Sequence, residues 1–360
     1  MADETLISWA DHTHNHWIGC TRISPACDGC YAAHLMETRL GRVEWGGPGK
    51  GSGTRSLTSE ANRRKPLTWD RKAKAEGKRP FVFCSSLADV FDNEVPTEWR
   101  LDLFNLIRAT PNLIWLLLTK RPQNIVKLFD EACIGGELLG GESLADHWPR
   151  NAAIGTTVED QQRADINVPA LLAAKAALSP AFAFLSCEPL LGPINLRGLR
   201  EFNPQGKPWI NALSGAVTSG GVPRSRSECG ISVTTSWTSP KIDWVITGGE
   251  TDQGAHKARP THPDWIRGLR DQCAAAGVPF HMKQWGEWVP QLGSVNLPDN
   301  PEHSRYQWAE WDGEEWEYWD RPMWCDDLDP DHSMIRAGKK LTGRTLDGVT
   351  HDAFPEVRAA

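Results

Sequence analysis

Long apolar runs are missing from this 360-residue chain. None approaches the roughly 18 consecutive apolar residues that cross a bilayer, so no membrane-spanning helix is expected. Met1–Trp9 lacks the basic-then-apolar order of a secretory signal, and the expectation is a cytoplasmic protein. A phosphate loop is missing too, because the glycine-dense stretch Gly46–Gly53 has neither a Lys-Ser/Thr ending nor a flanking strand. No internal repeat is present, and tyrosine is scarce, with three residues beside 18 tryptophans that read mostly as core filler. Nor is there a disulfide framework: the nine cysteines are an odd set, six of them scattered singly. The other three, Cys20, Cys27 and Cys30, crowd together, which reads as one ligand cluster plus buried thiols.

The remaining composition, 40% hydrophobic and 24% charged, supports one large or two modest cores. A net charge of −7 argues against indiscriminate coating of nucleic acid. The charge is polarised, however. Arg55–Arg79 holds nine Lys/Arg against three Asp/Glu, whereas Asp299–Asp331 holds twelve Asp/Glu against two Arg.

Short apolar runs recur at Phe81–Ser85, Ile114–Leu118, Ala153–Thr157, Phe182–Ser186, Asp243–Thr247 and Phe280–Lys283. They are too short for helices and do not alternate, as expected of strands covered on both faces. A weaker strand is expected near Leu6–Trp9. Helical patterns lie between several of them: one begins after Pro96-Thr97 and carries Trp99, Leu103, Leu106 and Ile107. Another carries Trp265, Leu269 and Cys273, with Thr261 and Asp264 as a capping box and Gly277 as its stop. Strand and helix in alternation predict an α/β fold, a full or partial (β/α) barrel over residues 1–290. Residues 197–240, rich in Gly, Ser and Thr, read as a surface insertion with small elements of its own. Residues 291–360, acidic and Trp-rich, read as a C-terminal appendage.

The strongest chemical signal is Cys20-x6-Cys27-x2-Cys30, ahead of an expected helix Tyr31–Leu40. Pro25 and Gly29 let the loop curl so that three thiolates converge. Three thiolates on a four-iron, four-sulfide cube leave one iron open to chelate a cofactor or substrate. A structural zinc site needs a fourth ligand, which His12, His14, His16 or His34 could supply as Cys3His.

Several blocks in fixed order carry a resemblance. They are Trp17-Ile18-Gly19-Cys20, Cys27-Asp28-Gly29-Cys30-Tyr31-Ala32, Asp89-Val90-Phe91, Leu118-Thr119-Lys120-Arg121-Pro122, Ser186-Cys187-Glu188-Pro189, Asp243–Glu250 and Lys283-Gln284-Trp285-Gly286-Glu287. From Trp9 to Glu287 the chain resembles the phage "gp thirty-seven/gp sixty-eight" family of uncharacterised proteins, which is described as radical S-adenosylmethionine (SAM)-like. The resemblance implies a radical SAM-like barrel with a 4Fe-4S cluster on Cys20, Cys27 and Cys30 and SAM on the open iron. It implies a reaction in which one electron splits SAM into methionine and a 5′-deoxyadenosyl radical that abstracts hydrogen from a substrate. An external, flavodoxin-like electron donor would be needed. The chain departs from the usual radical SAM pattern: the first cysteine gap is six residues rather than three, Gly29 stands where an aromatic residue is usual, and Gly248-Gly249-Glu250 follows a late strand.

In a (β/α) barrel the carboxyl ends of the strands share one face. Candidates for cofactor contact there are Ser85, Asp89, Lys120, Ser186, Glu188, Gly248, Gly249 and Glu250, and candidates for catalysis are Glu188, Glu250 and Lys283. Each has a structural alternative: Lys120, Arg121 and Lys283 as salt-bridge partners of those acids, Asp89 as a helix cap. Cys187 reads as a buried thiol. Arg63, Arg64, Lys65, Arg71 and Lys72, with Trp69 among them to stack on a base, have the form of a nucleic-acid footprint or else of a solvated helix face. A nucleic acid or nucleotide is the first expectation for the substrate. Two other classes stay open: a Cys3His zinc module, and a nucleic-acid-binding or interaction protein of phage or defence origin with a structural cluster.

Overall fold

A computed structural model describes residues 5–135, 142–200, 209–218, 238–290, 306–319 and 333–357. The Ser219-Gly220-Gly221, Ser225, Ser227 and Thr234–Ser236 stretches of the expected insertion lie outside the described residues, as do Trp324, Cys229 and Cys325.

Seven parallel strands form one curled, half-barrel sheet in sequential order. They are β1 (His12–His14), β2 (Phe81–Cys84), β3 (Ile114–Thr119), β4 (Ala152–Thr157), β5 (Ala183–Cys187), β6 (Trp244–Thr247) and β7 (Phe280–Met282). All six of the expected apolar strands are present to within a residue or two. The weak strand near Leu6–Trp9 is not: that segment is turn and loop, and β1 begins at His12 instead. Its three residues, His-Thr-His, carry no apolar run. They are set by pairing, His12 opposite Val82 and His14 opposite Cys84.

Successive strand residues face opposite sides of a sheet. On the concave side Phe81, Ile114, Leu116, Ala153, Phe184, Trp244 and Ile246 gather with Trp9 into an aromatic plug. On the convex side Val82, Trp115, Leu117, Ile154, Leu185 and Val245 meet the helices. These are α1 (Glu60–Glu76), α2 (Thr97–Arg108), α3 (Ile125–Cys133), α4 (Gln161–Leu178) and α5 (Pro263–Ala276). Leu103, Phe104 and Ile107 of α2, Leu128 and Phe129 of α3, Val168, Leu171 and Leu172 of α4, and Ile266 and Leu269 of α5 are buried there. Each such side chain contributes about 1.5–3 kcal/mol by leaving water.

Two local expectations are corrected. The cap of α5 is His262, whose Nδ1 accepts from the Asp264 N–H at 3.2 Å, and Thr261 instead donates its hydroxyl to the Leu190 carbonyl at 2.9 Å. The helix after Cys30 is α-helical only over Tyr31–Ala33 and continues as a π-helix over His34–Arg39. Within the expected insertion, Leu199–Arg200, Trp209–Ile210 and Val217–Thr218 form a small antiparallel sheet.

A four-stranded antiparallel sheet follows the half-barrel: β8 (Trp288–Pro290), β9 (Gln307–Trp311), β10 (Trp316–Trp319) and β11 (Ser333–Arg336), in the order β8-β11-β9-β10. Its first strand precedes the boundary expected at 290. Its tryptophans pack on α5, with Trp265 5.1 Å from Trp311 and 6.0 Å from Trp316 between ring centroids. The chain then returns to the half-barrel, where Phe354 lies 5.4 Å from Trp244. No helix among the described residues is long and apolar enough to cross a membrane.

Candidate functional site

The cysteine loop crosses the carboxyl end of the sheet and is held there from three strand ends. After β3, Arg121 donates through Nη2 to the Thr21 carbonyl at 2.8 Å and through Nη1 to Cys20 Sγ at 3.5 Å and Asp89 Oδ2 at 3.0 Å. Asp89 caps no helix. It accepts from the Thr119 hydroxyl at 2.7 Å, the Lys120 N–H at 3.1 Å and the Phe91 N–H at 2.9 Å, and so ties the ends of β2 and β3 together. After β4, Glu159 Oε1 accepts from the Ala26 N–H at 3.3 Å.

After β6, Glu250 is gripped by Arg259, whose Nε and Nη2 lie 2.9 and 2.8 Å from its two oxygens, with His256 Nε2 3.1 Å away. Arg259 also donates to the Pro25 carbonyl at 3.1 Å and lies 3.5 Å from Asp28, so it staples the loop to Glu250. Burial works to raise the Glu250 carboxyl, but the bonds from Arg259 and His256 win and hold it below its usual range. Gly29 fits here because a Cβ would stand 2.5 Å from Glu250 Oε1 and 2.7 Å from His256 Cδ2.

The three cysteines are free of disulfides. Burial pushes the Cys20 thiol up to about 12, with Asp89 adding to the rise and Arg121 opposing it. Burial likewise raises Cys30. Lys120 shows the reverse balance: burial would lower its pKa, but Cys27, Cys30, Glu159 and Asp89 raise it, so its ammonium is held charged beside the thiols.

The inward alternation of the strands carries on past the aromatic plug and places Ser85, Lys120, Ser186, Glu188, Gly248 and Lys283 at the mouth. Lys283 Nζ lies 2.6 Å from Glu188 Oε2, and the Ser186 hydroxyl donates to Glu188 Oε1 at 3.4 Å. Gly249 serves chain approach: its N–H reaches the Gln284 carbonyl at 2.9 Å, and a Cβ would overlap the Trp285 carbonyl. Cys187 is buried on the convex side, as expected, and its thiol is raised by desolvation.

The structure thus brings the cysteine loop, Lys120, Ser186, Glu188 and Lys283 to one end of the half-barrel. It sets Asp89 and Glu250 to holding the loop. Arg259 and His256 carry no sequence signal of their own, since they lie in an irregular segment and meet the loop only through folding.

The histidines near the loop are engaged elsewhere. His12 stacks on Trp69 at 4.4 Å with the planes 8° apart, and His14 Nε2 lies 3.4 Å from His16 Nδ1, both rings buried. His34 packs against Gly254. Among the described residues no group of three or more His, Cys, Asp or Glu side chains is arranged to hold a metal ion.

The basic segment forms α1. Arg64, Arg71 and Lys72 are exposed, while Arg63 and Lys65 are half-buried. Arg64 pairs with Glu60 at 3.2 Å and Lys72 with Glu76 at 4.0 Å. Trp69 is corrected: it is 6% exposed and stacked on His12, so it offers no face to a base.

Fold and site together define a parallel half-barrel whose mouth is capped by a three-cysteine loop. The chain belongs to a family of proteins of unknown function (DUF5131), whose model matches residues 4–355. No curated protein and no solved structure matches it.

Proposed function

We propose that the chain is a radical SAM-like iron–sulfur enzyme in which Cys20, Cys27 and Cys30 hold a 4Fe-4S cluster at the half-barrel mouth. The observation that carries this reading is the stapling of one three-thiol loop, by groups from three strand ends, over a polar mouth with an apolar floor. The resemblance to the radical SAM-like phage family supports it.

Three cysteines in one short loop, with Arg121 on Cys20 Sγ and the Lys120 ammonium beside Cys27 and Cys30, are the donor chemistry that supports such a group. A cubane takes each thiolate on a different iron, and three thiolates leave its fourth iron open. His12 stacks on Trp69, and His14 and His16 face each other, so these rings are turned to partners other than the three cysteines. When bound, the cluster would supply one electron to SAM chelated at its open iron, drawn from an external flavodoxin-like donor.

The chain's own residues do the rest. Lys120 and Arg121 offset the negative charge of thiolates, and the Arg121 donation to Cys20 Sγ fixes that ligand's orientation. Glu188 and Lys283 hold each other at the mouth, where they would orient a polar substrate, and the aromatic plug bars water from the opposite end. A nucleic acid or nucleotide is the proposed substrate class.

Anaerobic reconstitution of the full chain tests this reading. About four irons and four sulfides per chain, with 5′-deoxyadenosine released from SAM under a strong reductant, are expected. Stoichiometric zinc without sulfide, or a fully clustered sample that leaves SAM intact, would overturn it.

A further inference from the structure

A cavity of about 530 Å³ lies beside the cysteine loop, lined in part by Asn15 and Leu87 just beyond β1 and β2. Its volume falls within the range of small-molecule pockets. One side is the ribbon that pairs Trp17–Ile18 with Ser56–Leu57. Ile18, Met36, Leu57 and Leu87 give it an apolar wall. The rest is polar: Asn15, Ser56, Thr58, Ser59 and Asn62 contribute hydroxyl and amide groups, and Arg42 contributes the one charge of the lining among the described residues. Among the described residues no carboxylate lines the cavity.

Two features give that lining a sign. The Arg42 guanidinium is exposed and has no hydrogen-bond or ion-pair partner among the described residues. Ser59 and Asn62 open the 17-residue helix α1, whose amino end carries partial positive charge. The Thr58 hydroxyl is spent on the Asn15 and His16 carbonyls, and Ser59 Oγ accepts from the Asn62 N–H, so the cation and the helix start carry the polar side. Beside an apolar wall they match a ligand with an anionic end and a flat apolar body. Inorganic phosphate alone would leave most of the volume and all of the apolar wall unused.

We propose that this cavity binds a nucleotide, with phosphate on Arg42 and the start of α1 and the base against Ile18, Met36 and Leu87. The nucleotide can be free or belong to a nucleic-acid strand, since the exposed Arg64, Arg71 and Lys72 continue along the same helix. The cavity backs onto the cysteine loop, since the Leu87 carbonyl accepts from the Gly19 N–H at 3.1 Å and Ile18, Met36 and Leu87 pack in one apolar cluster with Cys20 and Cys30. Nucleotide binding is read without iron or SAM, so its failure and that of the cluster are distinguishable.

Calorimetric titration of the full chain with AMP, ATP, and short single-stranded DNA and RNA, with inorganic phosphate as competitor, tests it. Saturable binding that phosphate competes is expected. Arg42→Glu should weaken it about tenfold or more, as loss of a charge-assisted contact does. Ser56→Trp, which fills the cavity, should weaken it similarly, and unchanged thermal melting would show that both variants fold; Asn62→Ala stands in for either one that does not. Arg42-dependent binding of mononucleotides assigns a free ligand, and Arg42-dependent binding of oligonucleotides alone assigns a strand. Absence of saturable binding by every probe, or binding indifferent to these substitutions, overturns the proposal.

Discussion

Arg121 meets two partners with one nitrogen: its Nη1 is 3.5 Å from the Cys20 sulfur and 3.0 Å from Asp89 Oδ2. Because Asp89 is in turn bonded to Thr119 and to the Lys120 N–H, the position of a loop sulfur is coupled to the register of β2 and β3. The rigid sheet therefore orients a thiol that lies on a loop.

Arg121→Met should break this coupling. The ion pair is nearly buried, with side-chain exposures of 10% and 7%. Removing one partner of a buried pair costs about 3–5 kcal/mol, and the other bonds to Asp89 place this case near the lower end. Arg121→Lys keeps the charge but loses the planar fork, so it should fall between. Urea unfolding should rank wild type above Arg121→Lys above Arg121→Met; equal midpoints would show that Arg121 does not anchor the loop.

Gly29→Ala tests the Glu250 contact. The added methyl would press on the His256 ring and on Glu250 Oε1, and Arg259 holds Glu250 in place. Overpacking of this kind costs about 1–3 kcal/mol. A lower melting temperature is expected, together with reduced iron retention by the reconstituted chain if the proposed cluster is bound, and an unchanged melting temperature would remove the steric argument.

What the sequence discloses depends on whether the determining contacts are local. β2 to β7 were legible because each is an apolar run buried on both faces. β1 was hidden because His12-Thr13-His14 owes its strand to the neighbouring Val82–Cys84 ladder and to stacking on Trp69. The cysteine loop was legible because its three thiols lie within one short segment, and Glu188 and Lys283 because each closes a recognisable strand. The role of Arg259 was not, because its partners Pro25 and Asp28 are more than 230 residues away in sequence. Trp69 misled for a related reason: its place among cations says nothing of which face of α1 it occupies.

The Lys283–Glu188 pair should show measurable coupling. Side-chain exposures of 26% and 10% place it between a surface bridge and a buried one. A double-mutant cycle with Lys283→Met and Glu188→Gln should give about 1–2 kcal/mol. A coupling indistinguishable from zero would mean that the two groups do not hold each other at the mouth.

Acid should destabilise the fold through its buried histidines. Burial is the main cause that lowers His14 to about 3, His16 to about 4 and His281 to about 4, with His16, Arg63 and Arg344 respectively adding to it. In the unfolded chain each titrates near 6.5. Between these values the unfolded state binds protons that the folded state refuses, so stability rises with pH across the window and is fully present above about 6.5. Below that it falls by up to about 1.4 kcal/mol per pH unit for each histidine, until the folded-state values are reached. Asp252, held down at about 2 chiefly by Arg336 against the effect of burial, and Glu250 act only below the ordinary carboxylate range. The slope between about pH 5 and 6.5 therefore belongs to the histidines. Urea midpoints measured across that interval should fall steadily with acid, and His16→Gln should flatten the slope by about one proton. A flat profile in the wild-type chain would show that these rings are reached by protons without unfolding.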